Sequence, residues 1–276
     1  MSVIAERRPA AGQTHRPGSA YPRLRTLAGQ LVFIVGVLCV WILAYATGFI
    51  SSEALPSPWA VLRDLVDGLG TSVFWDGVGN TLEPAAVGLL AAVVIGVPVG
   101  LVTGTYRFAE RSARLPIEFG RAFPVIAILP VMLLIMGPTL TMKAVVVFIA
   151  CVFPLVIQAQ YGARSVSEAV AETVRSYRVP RLLRFRKVVL PAATPSVMTG
   201  IRLASTMAVL VAVGVEILTT VPGIGQQLAQ AQQDDNPAVA YAYIVTAGVI
   251  GYAATRLSEL AEARALAWRP PVGAEV

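Results

Sequence analysis

Apolar residues fall in six long runs separated by polar or turn-rich joints, roughly over residues 27–50, 82–105, 123–136, 139–160, 197–219 and 238–257. Crossing the hydrocarbon core of a bilayer takes about 20 helical residues. The pattern therefore predicts an all-α membrane protein with six transmembrane helices. The third run is short and holds Pro124 and Pro130, so a kink or an earlier start is expected there. The first run is too long for the core of a signal peptide, and Ser51-Ser52-Glu53 makes a poor cleavage site, so the helix is expected to be retained.

Composition agrees with this reading. Of the 276 residues, 56% are hydrophobic and 14% charged, against about 45–50% and about 25% in soluble globular chains. The mean hydropathy is +0.69. So few charges cannot cover a soluble globule of this size, and a disordered chain, a collagen or a disulfide scaffold is excluded as well. The positions of the basic residues then set the orientation. Arg7, Arg8, Arg16, Arg23 and Arg25 precede the first run, and four arginines at 107, 111, 114 and 121 separate the second from the third. Seven more basic residues lie between the fourth and fifth runs, and Arg256, Arg264 and Arg269 close the chain. That puts 19 of 22 on one side, leaving Arg63, Lys143 and Arg202. By the positive-inside rule both termini are cytoplasmic. Residues 1–26 read as a flexible cytoplasmic tail, 27–260 as the membrane domain and 261–276 as a second cytoplasmic tail. The +6 charge is explained by topology, and no nucleic-acid partner follows from it.

Residue counts remove several chemistries. The single histidine, His15, lies in the polar N-terminal stretch, which rules out a His-based metal site, triad or proton relay in the body of the protein. Cys39 and Cys151 sit inside apolar runs and read as buried small hydrophobes. The two lysines, Lys143 and Lys187, follow Met142 and Arg186, so no Gly-Lys-Ser/Thr phosphate loop exists. Any ATP hydrolysis must take place in another subunit, and the chain itself is expected to hold no cofactor or metal.

Inside the membrane the informative positions are small residues and one acid. Gly88, Ala92, Gly96, Gly100 and Gly104 place a small residue at every fourth position of the second run. Such residues let backbones approach closely where lipid offers no hydrophobic gain. They read as packing within the subunit or as a surface that slides during transport. The fifth run repeats the pattern with Gly200, Ala204, Ala208 and Ala212, and Glu216 follows four residues later. An intramembrane carboxylate costs a few kcal/mol or more. Glu216 is therefore expected at a helix contact or in a central pathway, or at the outer interface if the helix ends early. A pathway residue would make Glu216→Gln impair transport more than assembly. Val221-Pro222-Gly223-Ile224-Gly225 reads as a tight non-helical turn, either a docking loop or a simple connection.

The longest joint, 161–194, is too long for a simple connection. Ser165 or Ser167 is placed to cap a helix starting near Glu168, with Glu168 and Glu172 in its first turns. Val179-Pro180 is expected to end that helix. A second, basic helix should run over 181–189 and close at Leu190-Pro191. Val170, Val174 and Tyr177 share one apolar face, which needs a cover, either a partner protein or this chain's own helix ends.

This joint resembles the EAA loop of bacterial ABC importer permeases, whose pattern is Glu-Ala-Ala, a glycine four residues on, and Leu-Pro twelve residues beyond the glycine. Counting back from Leu190-Pro191 aligns the acid with Glu172, the alanines with Thr173 and Val174, and the glycine with Arg178. The acid, the spacing and Leu-Pro match; both alanines and the glycine do not. The stretch 174–195 is similar to the branch carrying sulfonates, taurine and nitrate. Leu55-Pro56-Ser57-Pro58, Asn80-Thr81-Leu82, Gly96-Val97-Pro98-Val99-Gly100, Glu216, Gly223-Ile224-Gly225 and Trp268 continue that similarity.

The resemblance implies a homodimer bound to two cytoplasmic ATPase subunits, which hold ATP and Mg, and an extracytoplasmic solute-binding protein. It implies a coupling helix over 168–180, a pore lined by the fifth span, and a loop at Pro222, Gly223 and Gly225 near the binding protein. Arginine at 178 would pay for a backbone conformation that glycine takes freely, so either another turn forms there or Arg178 pairs with an acid on the ATPase. The expected cargo is a small anion such as a sulfonate, taurine or nitrate, with a vitamin precursor as an alternative. Arg202, near the start of the fifth span, is the one candidate to grip it, unless it snorkels to the cytosol. An ion-coupled carrier or channel would need more ionisable residues in its spans than Glu216 and Glu83, and a membrane enzyme would need histidine, lysine or paired acids there.

Overall fold

The computed structural model describes residues 21–48, 51 and 54–268. The chain divides into two units between Pro58 and Trp59. The first contains helix α1, Tyr21–Ala46, which begins six residues before the apolar run. Helix α1 presents Leu31, Phe33, Ile34 and Val40 on its surface, and the indole Nε1 of Trp41 donates to Pro56 O at 3.1 Å. His15 and the first 20 residues lie outside the described residues. Cys39 is exposed, whereas Cys151 is buried. The shared expectation of burial fails for Cys39 because an apolar run has the same composition facing lipid or facing protein.

Among its described residues the second unit consists of helices and short connecting segments, with no strand. Helix α2, Pro58–Leu69, which begins at the division between the units, is short and amphipathic and was not foreseen. Helix α3, Ser72–Thr105, starts ten residues before its apolar part. Thr71 accepts from Phe74 N at 3.3 Å and so caps it. Helix α4, Arg107–Ala122, is strongly amphipathic. A 3-10 turn at Val125–Ile128 then leads into α5, Leu129–Met136. The expected proline kink is an 87° bend between α4 and the Val125–Met136 segment. Pro124 is the N-cap of the 3-10 turn, and a proline there cannot continue the α4 ladder.

Helix α6, Leu140–Arg164, is capped by Thr139, and α7 spans Glu168–Ser176. The expected break at Leu190-Pro191 does not occur. Helix α8, Arg181–Arg184, runs through a π-helical turn at Phe185–Val189 into α9, Leu190–Leu218. In the wider turn Leu190 N bonds to Phe185 O. That shift of register accommodates Pro191, which has no amide hydrogen and would crowd an ordinary α-turn. Helices α10, Ile224–Gln233, and α11, Pro237–Ala265, complete the unit. Among the described residues five helices are long and apolar enough to cross a membrane, or six if the bent α4–α5 pair is one span.

Helices α3, α6 and α9 form the core, with Ala92, Val147, Cys151, Leu155, Ala204 and Ala208 buried where they meet. The small-residue row of α3 lies against α6. A Cβ on Gly96 would stand 3.0 Å from Val152 O, and one on Gly104 would stand 2.7 Å from the Cβ of Ala163. Gly100 meets Val156 and Ala159 in the same way. The row thus packs inside the subunit, with no room for side chains between the backbones. A polar ladder joins α9 to α11: Thr206–Thr255 at 3.0 Å, Ser205–Ser258 at 2.8 Å and Arg202–Glu262 at 3.2 Å.

Candidate functional site

Two constellations emerge at opposite ends of the bundle. At the basic end, α7 is a nine-residue helix on the joint between α6 and α9. Ser167 occupies its N-cap position without a side-chain hydrogen bond. Ser165 lies instead 2.8 Å from Gly162 O and 3.1 Å from Ala192 O, tying the end of α6 to the start of α9. The helix stops at Ser176, four residues short of the expected Pro180. Arg178 N bonds to Arg175 O at 3.0 Å and Val179 N to Val174 O at 3.1 Å, the paired bonds of a Schellman turn. That motif needs a left-handed residue after the cap, and Arg178 supplies it with φ +48°.

The position where the loop pattern has glycine therefore keeps the glycine conformation, and the expectation of a different turn is overturned. The hydrogen bonds of the motif hold Arg178 in a region that costs a non-glycine residue about 1–2 kcal/mol. Arg178→Gly is expected to raise the melting temperature slightly, because the relieved strain exceeds the added backbone entropy of about 0.5–1 kcal/mol. A lower melting temperature would remove the strain argument.

Val174 is buried, but Val170 is 44% and Tyr177 80% exposed. The apolar face is thus covered at its middle by the chain and left open at both ends. Glu168, Glu172, Thr173 and Arg178 are exposed beside it. Leu190 is half exposed, and Pro191 lies just after the π-turn, away from α7 in sequence but on the same end.

At the other end is a buried ion pair. Lys143 Nζ and Glu216 Oε1 are 2.6 Å apart with both side chains at 0% exposure. The ammonium also donates to Asn80 O and Pro222 O, each at 2.8 Å, so all three of its hydrogens have acceptors. Glu216 Oε2 accepts from Gly225 N at 2.8 Å and lies 3.0 Å from Thr81 Oγ1. Thr81 in turn accepts from Ile224 N at 3.0 Å. The carboxylate and hydroxyl together cap the N-terminus of α10, where free amides and the helix dipole favour negative charge.

In this structure the Glu216 side chain is a buried helix contact, held by Lys143, Thr81 and the start of α10. Lys143 lies within the apolar helix α6, although the spans were expected to hold no lysine. The available signal was a lone lysine four residues after the Thr139 cap, inside an apolar helix, where a charge requires a partner. The 221–225 segment is not a free turn either, since α10 starts at Ile224. Gly223 and Gly225 permit close approach: a Cβ on Gly223 would fall on the Glu216 carboxylate, and one on Gly225 would lie 2.5 Å from Val213 O. Arg202 sits at the basic end, far along α9 from Glu216, and meets Glu262.

Among the described residues the bundle thus combines five or six helices apolar enough to cross a membrane, a buried Lys143–Glu216 pair at one end and an exposed helix on its longest joint at the other. The chain belongs to the family described as binding-protein-dependent transport system inner membrane component, whose model matches residues 92–266. It is 28% identical over 236 residues, 86% of this chain and 90% of the relative, to SsuC of Escherichia coli (strain K12), described as an aliphatic sulfonates transport permease. It is 26% identical over 202 residues, 72% of each, to the nitrate import permease protein NrtB of Leptolyngbya laminosa. In fold it is similar to a chain of the inward-facing MetNI methionine ABC transporter, with a TM-score of 0.53 and 19% identity over 74% of this chain and 97% of that one. The protein is thus a multi-pass membrane permease of the ABC type, and the readings as an ion-coupled carrier or a membrane enzyme are set aside.

Proposed function

We propose that the chain forms the translocation path of an importer for a small anionic solute, working as a homodimer with two cytoplasmic ATPase subunits and an extracytoplasmic binding protein. The observation that carries the reading is α7: a short helix at the basic end, closed by a Schellman turn at the family's glycine position, with Tyr177 exposed. ATP and Mg belong to the ATPase, since this chain has no phosphate loop. The sulfonate and nitrate relatives support an anionic cargo. The 19 of 22 basic residues on one side support a cytoplasmic position for both termini and α7, and on that reading the Pro222–Gly225 segment faces outward, within reach of the binding protein. Closure of the ATPase on ATP would move the docked α7, and with it α6 and α9, to change which side the path opens to.

The test is a substitution on the exposed face of α7. Tyr177→Ala is expected to weaken ATPase docking about thirtyfold, the effect of losing one interface hot spot. Glu172→Ala should act in the same direction. Both residues are exposed, so insertion and melting should stay at wild-type values while ATP hydrolysis loses its dependence on the binding protein. Full solute uptake with either residue changed would overturn the coupling assignment.

A further inference from the structure

Two cavities meet on the inner face of the α4–α5 bend. One, of about 350 Å³, is lined almost entirely by apolar groups, among them Phe123, Ile126, Phe153, Pro154, Met207 and Val211. The other, of about 280 Å³, lies toward the basic end and is lined by charged residues of α4 and α6. Arg121 and Ile157 line both. In the polar cavity the carboxylates are already engaged: Glu118 with Arg114 at 2.9 Å and Glu110 with Arg164 at 2.9 Å. No carboxylate of the described residues lies within ion-pairing distance of Arg121. Its guanidinium is thus the cation at the junction whose charge no acid among the described residues offsets, and of those residues it is the only charged one on the wall of the apolar cavity. Gly120 beside it allows the Phe153 ring to lie directly on the α4 backbone, where a Cβ would overlap the ring. The apolar wall is thereby brought against the arginine.

We infer that this junction is a bipartite site for an organic oxyanion: Arg121 binds the charged head, and the apolar cavity takes a short hydrocarbon body. The inference rests on the importer reading and narrows its cargo. A guanidinium presents a planar fork that matches two oxygens of a sulfonate or carboxylate. The apolar cavity falls within the range of about 300–1,000 Å³ typical of ligand sites, and an inorganic anion such as nitrate leaves it unfilled. The site therefore discriminates by body as well as by charge. Arg202, the residue the sequence suggested for an anion, is held by Glu262 and lines neither cavity.

The experiment uses the permease purified with its ATPase in lipid nanodiscs and measures binding of labelled butanesulfonate, with ethanesulfonate, nitrate and butylamine as competitors. Affinity should rise about fourfold for each CH₂ from ethane- to butanesulfonate, the transfer value for a buried methylene. Nitrate should compete at least about tenfold more weakly, and butylamine not at all. Arg121→Gln should weaken butanesulfonate at least about tenfold, as loss of a charge-assisted hydrogen bond requires, with Arg121→Lys between. Arg63→Gln on α2 is the control. If Arg121→Gln does not fold, Ile126→Trp decides: Ile126 is 54% exposed and lines the cavity mouth, so the substitution should flatten the chain-length dependence. Wild-type binding in Arg121→Gln, equal competition by nitrate, or an unchanged chain-length series in Ile126→Trp overturns the site. A complex that hydrolyses ATP on demand of its binding protein but fails these tests loses the site and keeps the importer. A permease that recovers no ATPase loses the importer reading itself.

Discussion

Glu216→Ala is expected to destabilise the bundle by about 3–5 kcal/mol, the cost of leaving a buried charge without its partner. Lys143 would keep its two carbonyl acceptors, Asn80 and Pro222, but lose the carboxylate it pairs with. The amide of Gly225 would lose its acceptor at the same time. Since Lys143, Glu216 and Thr81 lie on three different helices and hold the start of α10, the expected phenotype is loss of assembly before any change in transport. Glu216→Gln should act the same way at smaller size, because an amide cannot neutralise the ammonium. Lys143→Met combined with Glu216→Leu should recover much of the loss, as apolar replacement of a buried pair is often neutral. Thermal melting of the purified single and double variants checks this. A Glu216→Ala protein that melts with the wild type would dissolve the staple as a stability element.

Gly100→Leu should be as damaging by a different route. A Cβ at this position would overlap the carbonyl oxygen of Val156 and stand 2.6 Å from the Cβ of Ala159. Neither is the mobile end of a side chain, so α3 and α6 must separate. Overpacking of this kind costs typically about 1–3 kcal/mol, and four added carbons against backbone put the substitution at the upper end. The matched control is Gly79→Ala on the same helix, where a Cβ meets nothing within 4 Å. That change should stabilise α3 by about 0.5–1 kcal/mol through reduced backbone freedom. The yield of monodisperse protein and its melting temperature read both. Equal behaviour of the two variants would mean that the glycine row does not set the α3–α6 distance.

Hydropathy and charge made the membrane class, the number of apolar runs and the basic side legible, because solvation in lipid acts on composition alone. Local caps and prolines located α7, although it ends at Ser176 rather than at Pro180, and position 178 stood out through the resemblance to the EAA loop. Helix ends were less legible. Helix α3 starts at Ser72, before its apolar part, because a cap and backbone hydrogen bonds extend a helix past the membrane-like residues. Leu190-Pro191 did not break the chain, because a π-turn can absorb a proline that an α-turn cannot.

What the sequence by itself determined is therefore the class of the protein and its apolar helices. Only the tertiary structure decided which charges meet. Lys143 and Glu216 are 73 residues apart in the chain, and no local rule links them. Arg121 likewise looks like one more cytoplasmic arginine until the bend after α4 places it between two cavities. Burial in lipid is dictated residue by residue. The partner of a buried charge is dictated by packing, which depends on how α3, α6 and α9 approach across their small residues.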